Sequence, residues 1–148
     1  MKRLSKCAAL LLLAPAATEA ACTVSVPTMA FGTYNPTSAT PRDISASVTV
    51  TCSSAAGSTN HVISLSDGGG TGYTARRMNV GGLLLPYQLY TSSARTIVWG
   101  DGTSGTGTQS FFGANGTFIF TIHGRIAARQ FASPSTGYID PVVATLTY

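Results

Sequence analysis

The sequence predicts an all-β protein, and two features of the chain indicate it. Between Ile63 and Gly107, short apolar runs alternate with clusters of Gly, Ser, Thr and Asp, and nothing repeats at helical spacing. Turn signals this dense are typical of short antiparallel strands. After Ala20 the chain contains no Lys and no Glu, two residues common on helix surfaces, whereas Thr, Ser and Gly are abundant. The remaining chain, about 130 residues, suits a single domain.

The beginning of the chain has the three parts of a secretory signal peptide. The first six residues include the positively charged Lys2, Arg3 and Lys6, residues 7–17 form an apolar segment too short to span a bilayer, and small residues follow. We expect cleavage after Ala20. Residues 1–20 are therefore predicted to be a signal peptide, and residues 21–148 to form one domain.

The charge of that domain does not favour nucleic acid as a partner. Six Arg against four Asp leave +2, compared with +4 for the full sequence, and the Arg residues are scattered apart from Arg76-Arg77. No later segment is apolar enough to span a membrane. We expect export through the inner membrane to the periplasm, and then to the cell surface or the medium. A lipoprotein anchored at Cys22 is the alternative, which Glu19 fits poorly.

The first two predicted strands each place a cysteine on their apolar face. In Cys22–Phe31 and in Ile44–Cys52, apolar residues alternate with Ser and Thr, so Cys22 and Cys52 both share a face with aliphatic residues. An even pair of cysteines in an exported chain predicts a disulfide. Closing a loop of about 30 residues would stabilise the fold by about 3–4 kcal/mol. Two free or metal-bound thiols are the alternative, which lacks a His or another Cys nearby in the sequence.

Four further segments have the length and composition of strands and are bounded by turn residues. Six or more strands at this spacing predict a β-sandwich. Shorter strands are expected near Val98-Trp99 and around Phe131. The four further segments are Val62–Ser66, Leu83–Tyr90, Phe118–Gly124 and Val142–Tyr148.

No set of residues predicts catalysis, a cofactor or a metal site. His61 and His123 lack the spacing of a zinc site, and we expect the first in solvent and the second on the outward face of its strand. The Asp residues near turns are typical of turn chemistry and are too dispersed for a calcium site. No Ser lies in a Gly-x-Ser-x-Gly elbow. A secreted hydrolase is therefore not favoured.

Three aromatic residues next to Gly-rich segments are candidates for contact with a sugar, a partner or an abiotic surface. The alternative, which is more common for such residues, is that they cap the sandwich core. The three are Trp99, Phe111 and Phe112.

Four stretches together cover nearly all of the predicted domain. They are CTVSVPTMAFGTYNPTSATPRDISASVTVTCS (Cys22–Ser53), ISLSDGGGTGYTARRM (Ile63–Met78), LLLPYQLYTSSARTIVWGDG (Leu83–Gly102) and the terminal ATLTY. In this order they resemble the spore coat protein U family, whose members include the subunits of archaic chaperone–usher pili. No single stretch is decisive, and the ordered set is fairly specific.

The resemblance implies an incomplete immunoglobulin-like β-sandwich that lacks one strand and exposes a hydrophobic groove. In such pilins a periplasmic chaperone fills the groove first. During assembly at an outer-membrane usher, an N-terminal extension of the neighbouring pilus subunit replaces it by β-strand addition. The residues that the resemblance places at the groove are Val24 and Val26 on one border and Val142, Ala144, Leu146 and Tyr148 on the other.

One departure from the family pattern concerns the segment ahead of the first cysteine. Shaft subunits carry their donor strand there, whereas cleavage after Ala20 leaves Ala21 alone. We therefore expect a chain that accepts a strand without donating one, at a terminal position such as a tip or in a stand-alone coat. The resemblance thus implies a structural or adhesive subunit of a pilus or surface coat, with a role in cell adhesion and biofilm formation. A self-complete secreted carbohydrate-binding module is the alternative.

Overall fold

The structure, a computed structural model, describes residues 21–53, 59–113 and 115–148. The predicted signal peptide, residues 1–20, lies outside the described residues. The described residues form strands and irregular segments without a helix, so the predicted all-β class is confirmed. The strands are β1 (Ala21–Ser25), β2 (Arg42–Ser53), β3 (Thr59–Leu65), β4 (Arg77–Val80), β5 (Leu83–Pro86), β6 (Gln88–Tyr90), β7 (Gln109–Gly113), β8 (Gly116–Ile126) and β9 (Ala144–Thr147).

Two antiparallel sheets face each other across one hydrophobic core. The first sheet has the order β1-β2-β8-β6 and the second the order β7-β3-β9, while β4 and β5 form a separate hairpin. Val48 and Val50 of the first sheet and Ile63 of the second are all 0% exposed and belong to one apolar cluster. The predicted β-sandwich is therefore confirmed.

The long β2–β8 pair shows why the sequence forms this sheet. The two strands pair from Arg42 opposite Ile126 to Cys52 opposite Gly116. Because side chains alternate between the faces of a strand, the apolar residues of β2 turn inward and its Ser and Thr residues turn outward. The alternation read from the sequence is thus reproduced by the burial of this strand.

The first strand is shorter than predicted and ends at Ser25 rather than Phe31. Pro27 lacks the backbone N–H that a ladder requires, and residues 26–31 leave the sheet. Phe31 then turns into the core above Gly124, where an added Cβ would lie 2.7 Å from the Phe31 ring. A glycine at this position of β8 therefore makes room for the aromatic ring.

The segment predicted as a single strand over Leu83–Tyr90 divides at Tyr87. Its first half, β5, pairs with β4, and its second half, β6, joins the first sheet. The β4–β5 turn consists of Gly81 and Gly82, whose φ angles are +56° and +87°. Positive φ at both central residues is typical of the tight two-residue turns that join the strands of a β-hairpin.

Other short segments also differ from the prediction. Trp99 and its neighbour Val98 form isolated bridges rather than a strand. Phe131 lies in an irregular segment and is fully exposed. Two strands, β4 and β7, were not predicted from the sequence, because both lack a long apolar alternation. The described residues contain no helix long and apolar enough to span a membrane.

Candidate functional site

An apolar groove of about 450 Å³ opens beside β9. One wall is the irregular segment 26–32, and the other consists of residues between 136 and 144. Side chains from both sheets and from the β4–β5 hairpin form the floor, so the groove reaches the sandwich core. The floor residues are Leu65, Met78, Leu85, Leu89, Ile122 and Ile126.

The strand β9 is paired along one edge among the described residues. It runs antiparallel to β3, with Thr147 opposite Val62 and Ala144 opposite Leu65. Just before β9, the Val143 N–H donates to the Ser66 hydroxyl at 2.9 Å, and the Val143 carbonyl accepts from the Ser66 N–H at 2.8 Å. Both backbone groups of Val143 therefore face the β3 side.

The direction of the Val143 backbone groups shows which edge of β9 is free. Backbone groups of successive strand residues point to opposite edges. Because those of Val143 point toward β3, Ala144 and Leu146 direct their N–H and C=O groups toward the edge away from β3. No described strand pairs with that edge, so within the described part of the chain its donors and acceptors have no strand partner and lie beside an apolar groove.

The two walls of the groove do not bond to each other through their backbones. Within the described residues, no backbone hydrogen bond joins segment 26–32 to residues 136–148. The nearest such bond lies just past the groove, where the Tyr34 N–H donates to the Ser135 carbonyl at 3.4 Å. The space between the walls is thus bridged at its end and open along its length.

Asp140 is a charged residue at the lining of the groove, and its carboxylate is already engaged. It accepts hydrogen bonds from the Tyr87 hydroxyl and from the Gly69 N–H, both at 2.6 Å. Burial, followed by the hydrogen bond to Asp140, raises the pKa of Tyr87 far above its ordinary value. Ile139 is held to β4 by two backbone bonds with Asn79, of 2.8 and 3.2 Å. These contacts fix one wall and leave the groove chemically apolar.

A buried arginine supports the region behind the floor. Arg76 is 0% exposed, and its guanidinium donates to the carbonyls of Ser66, at 3.0 and 2.7 Å, and Trp99, at 2.7 Å. Burial lowers the pKa of Arg76 from its ordinary value. From the sequence Arg76 was identified only as one of a basic pair, whereas in the structure its side chain links the end of β3 to the segment around Trp99.

Three of the residues that the family resemblance places at a groove line this one. Val26 belongs to the first wall, and Val142 and Ala144 belong to the second. Val26 is 42% exposed, whereas Val142 and Ala144 are half-buried against the core.

The other three residues lie beyond the end of the groove. Val24 and Leu146 are half-buried and pack against the core cluster. Tyr148 is 62% exposed, and its ring centroid lies 5.4 Å from that of His61.

The floor was not identified from the sequence, although part of it has a visible signal. Leu85, Tyr87 and Leu89 alternate with polar residues and proline, which is the period-two pattern of a half-buried strand. All three are almost fully buried. Their place beneath the groove depends on the packing of the hairpin on the sandwich, which no local pattern indicates.

Trp99, one of the three candidates for contact with an external surface, instead follows the alternative and fills the core. Trp99 is 0% exposed, and its indole N–H donates to the Ile63 carbonyl at 3.0 Å. Phe111 is half-buried, with its ring centroid 4.0 Å from that of Phe118. Trp99 and Phe111 both fill the core, because the bridge that contains Trp99 and the strand β7 direct these two side chains inward. Phe112, on the other face of β7, is 70% exposed, and its contact with a surface stays a prediction.

The two cysteines, which lie opposite each other on β1 and β2, are joined in a disulfide. Beside them, His61 is 3% exposed, and its Nε2 lies 3.7 Å from the Cys22 sulfur. The expectation of a solvated His61, with no histidine near the thiols, is therefore wrong. His61 alternates with Ile63 and Leu65 on β3, so it shares their inward face.

Comparisons with known proteins agree with this architecture. Residues 8–145 match the family model of the Spore Coat Protein U domain. No curated protein matches the sequence.

Among solved structures, the chain is similar to a chain of the CsuC–CsuE chaperone–tip adhesion subunit pre-assembly complex, from archaic chaperone–usher Csu pili of Acinetobacter baumannii. The TM-score is 0.59 at 16% sequence identity, and the match covers 87% of this chain and 40% of that chain. At this identity the likeness shows the fold. Since the family model spans most of the sequence, the chain belongs to the Spore Coat Protein U domain family.

Proposed function

We propose that this chain is a structural or adhesive subunit of a chaperone–usher type pilus or cell-surface coat, and that its groove accepts a β-strand from a partner. The observation that carries the proposal is the free edge of β9 beside an apolar groove that opens into the core. A strand edge of this kind favours pairing with another chain. The proposed role involves no catalytic step.

The geometry suits β-strand addition. The backbone of an incoming strand would pair with Ala144 and Leu146, while every second side chain would point to the floor formed by residues such as Leu85 and Ile122. The backbone bonds would supply affinity and the floor would select apolar side chains. The occupant is therefore an extended segment with alternating apolar residues.

The proposed partners follow from the family and from the solved relative. A periplasmic chaperone would occupy the groove after export, and a strand of a neighbouring pilus subunit would replace it at an outer-membrane usher. The similar solved structure is itself described as a chaperone–tip adhesion subunit pre-assembly complex, which supports a chaperone as first partner. Export and a final position at the cell surface belong to the same proposal.

A terminal position in the pilus depends on the signal peptide. If cleavage follows Ala20, Ala21 alone precedes the disulfide, and no donor strand is left in that segment. N-terminal sequencing of the exported chain tests this step. A mature chain that begins well before Ala20 would contradict the strand-acceptor role at a terminal position.

The experiment that tests the groove is expression in a bacterial periplasm, with and without a co-expressed periplasmic chaperone of the chaperone–usher type. We expect soluble protein in a one-to-one chaperone complex and little soluble monomer without the chaperone. A stable, cooperatively unfolding monomer without chaperone would overturn the proposal and favour the self-complete carbohydrate-binding module. The groove has the volume of a small-molecule pocket, but of its aromatic lining residues Phe31 and Tyr87 are almost fully buried and Tyr138 is half-buried, so it presents no exposed row of aromatic rings to a sugar.

A further inference from the structure

A cluster of three potential metal ligands lies at the edge of the sandwich, separate from the groove. The sulfur atoms of Cys22 and Cys52 and a ring nitrogen of His61 all lie within 4.8 Å of one another. Cys52 and His61 are each 3% exposed, and Cys22 is half-buried. The three residues come from β1, β2 and β3, and therefore from both sheets.

The hydrogen bond of His61 determines which nitrogen faces the sulfur atoms. Nδ1 lies 3.1 Å from the Thr59 carbonyl oxygen, which can only accept, so Nδ1 carries the proton. The lone pair of Nε2 then points toward the Cys22 sulfur, 3.7 Å away. Histidines that bind metals in proteins show this arrangement, in which the second ring nitrogen donates to a carbonyl or carboxylate.

Stacking holds the imidazole in this orientation. The rings of His61 and Phe111 lie 4.5 Å apart with an interplanar angle of 7°, and the Tyr148 ring approaches at 5.4 Å. The nitrogen ligand is thus pre-positioned by β3, β7 and the end of the chain, and it does not depend on the disulfide for its place.

The distances suit a tetrahedral thiophilic cation. With Zn–S of about 2.3 Å and Zn–N of about 2.0 Å, a sulfur and a nitrogen on one zinc ion lie about 3.5 Å apart. The observed distance between the Cys22 sulfur and His61 Nε2 is 3.7 Å. The two sulfur atoms would need to separate to about 3.8 Å, which rotation of one cysteine side chain can provide once the disulfide is open.

We propose that, before the disulfide forms, Cys22, Cys52 and His61 bind one zinc ion, with a water molecule in the fourth position. Zinc and the disulfide are then alternative states of one site. The disulfide joins two neighbouring strands of one sheet, whereas zinc joins both sheets through β3. The proposal does not rest on the function of the groove.

The test uses the exported chain, with its chaperone where the two purify together, after reduction by a phosphine. Cobalt(II) serves as a spectroscopic probe because its thiolate complexes absorb in the near ultraviolet. We expect one cobalt ion per reduced chain, displaced by zinc, and none in the oxidised chain. His61→Phe keeps the ring stack and removes the ligand, so it should weaken binding at least tenfold, whereas His123→Phe is the matched control and should bind as the native chain does.

Equal cobalt affinity in the native and His61→Phe chains, or no thiolate absorption in the reduced native chain, would overturn the proposal. Near-ultraviolet circular dichroism of buried Trp99 shows whether the reduced chain stays folded. If reduction abolishes that signal, zinc should restore it in the native chain and not in His61→Phe. A signal that zinc fails to restore counts against the site.

A second readout is the rate of disulfide formation. Glutathione disulfide takes two electrons from the cysteine pair and leaves as two thiols, while the cysteine sulfur atoms bond to each other. One equivalent of zinc should slow this reaction at least tenfold in the native chain and much less in His61→Phe. Equal slowing in both chains would contradict a role for the imidazole.

Discussion

A carboxylate at Ala144 should prevent the groove from accepting a strand. Ala144 lines the groove, pairs with Leu65 on one side and directs its backbone groups to the free edge on the other. In Ala144→Asp the new side chain would lie beneath the incoming strand. The described residues lining the groove include no Lys or Arg that could pair with it.

The expected cost follows from burying an unpaired charge. Leaving a charge uncompensated in a buried site costs about 3–5 kcal/mol, which weakens binding roughly a hundredfold to several-thousandfold. The free domain should lose less stability than in Leu146→Asp, because the substitution keeps the Cβ by which Ala144 contacts the core and adds its carboxylate where the side chain lines the open groove. Thr145→Asp is the matched control, since Thr145 is exposed on the outer face of the same strand and should change binding by less than about 0.5 kcal/mol.

The assay is recovery of the one-to-one complex from the periplasm with a tagged chaperone, followed by its dissociation constant. A free-thiol assay confirms that each variant has formed its disulfide. Leu146→Asp should also block the complex, but it will lower stability as well because Leu146 packs against the core. Recovery of Ala144→Asp at the level of Thr145→Asp would refute the reasoning.

Three further predictions concern stability. Cys52→Ala should lower the free energy of unfolding by about 3–4 kcal/mol because it opens a loop of about 30 residues. A loss below about 1 kcal/mol in denaturant titrations, which is typical of a surface substitution, would contradict this prediction. Trp99→Phe should lower the free energy of unfolding by about 0.5–1.5 kcal/mol, since it removes the indole N–H that donates to the Ile63 carbonyl. An unchanged denaturant midpoint would count against that bond. The hydrogen bond from Arg125 lowers the pKa of Asp43 below 3.8 in the folded chain. The ionised carboxylate therefore stabilises the fold at pH values above the pKa of Asp43 in the unfolded chain. This stabilisation is lost as the pH falls through the lower pKa of the folded chain. Melting temperatures of native protein and Asp43→Asn should therefore converge on acidification, and a pH-independent difference would argue against the ion pair.

The sequence was most informative where burial follows local alternation. The predicted strand Ile44–Cys52 lies within β2, and Phe118–Gly124 lies within β8, because each strand has one apolar face against the same core. β7 was not predicted because it forms by pairing with β3, a tertiary contact that no local pattern indicates. The same pairing directs Phe111 toward the core.

The groove was predicted only in part, and what could be predicted differs between its two walls. The resemblance to the family indicated Val142 and Ala144 on the last strand. It did not reveal that the chain leaves the sheet near Pro27 and forms a wall without pairing. The position of His61 beside the disulfide was also missed, since 39 residues separate His61 from Cys22 and the two meet across the sheets.

The pairing of β9 with β3 has a consequence for the time course of folding. Its partners lie roughly 80 residues apart in the chain, and contacts of such large sequence separation form slowly. If the chain is exported with its N-terminus first, as proposed, β3 emerges long before β9, and Ile63 and Leu65 then lie on an incomplete sheet until β9 arrives. The second sheet can close only after β9 has emerged. The incomplete sheet is therefore most exposed to aggregation until β9, the strand that borders the groove, pairs with β3.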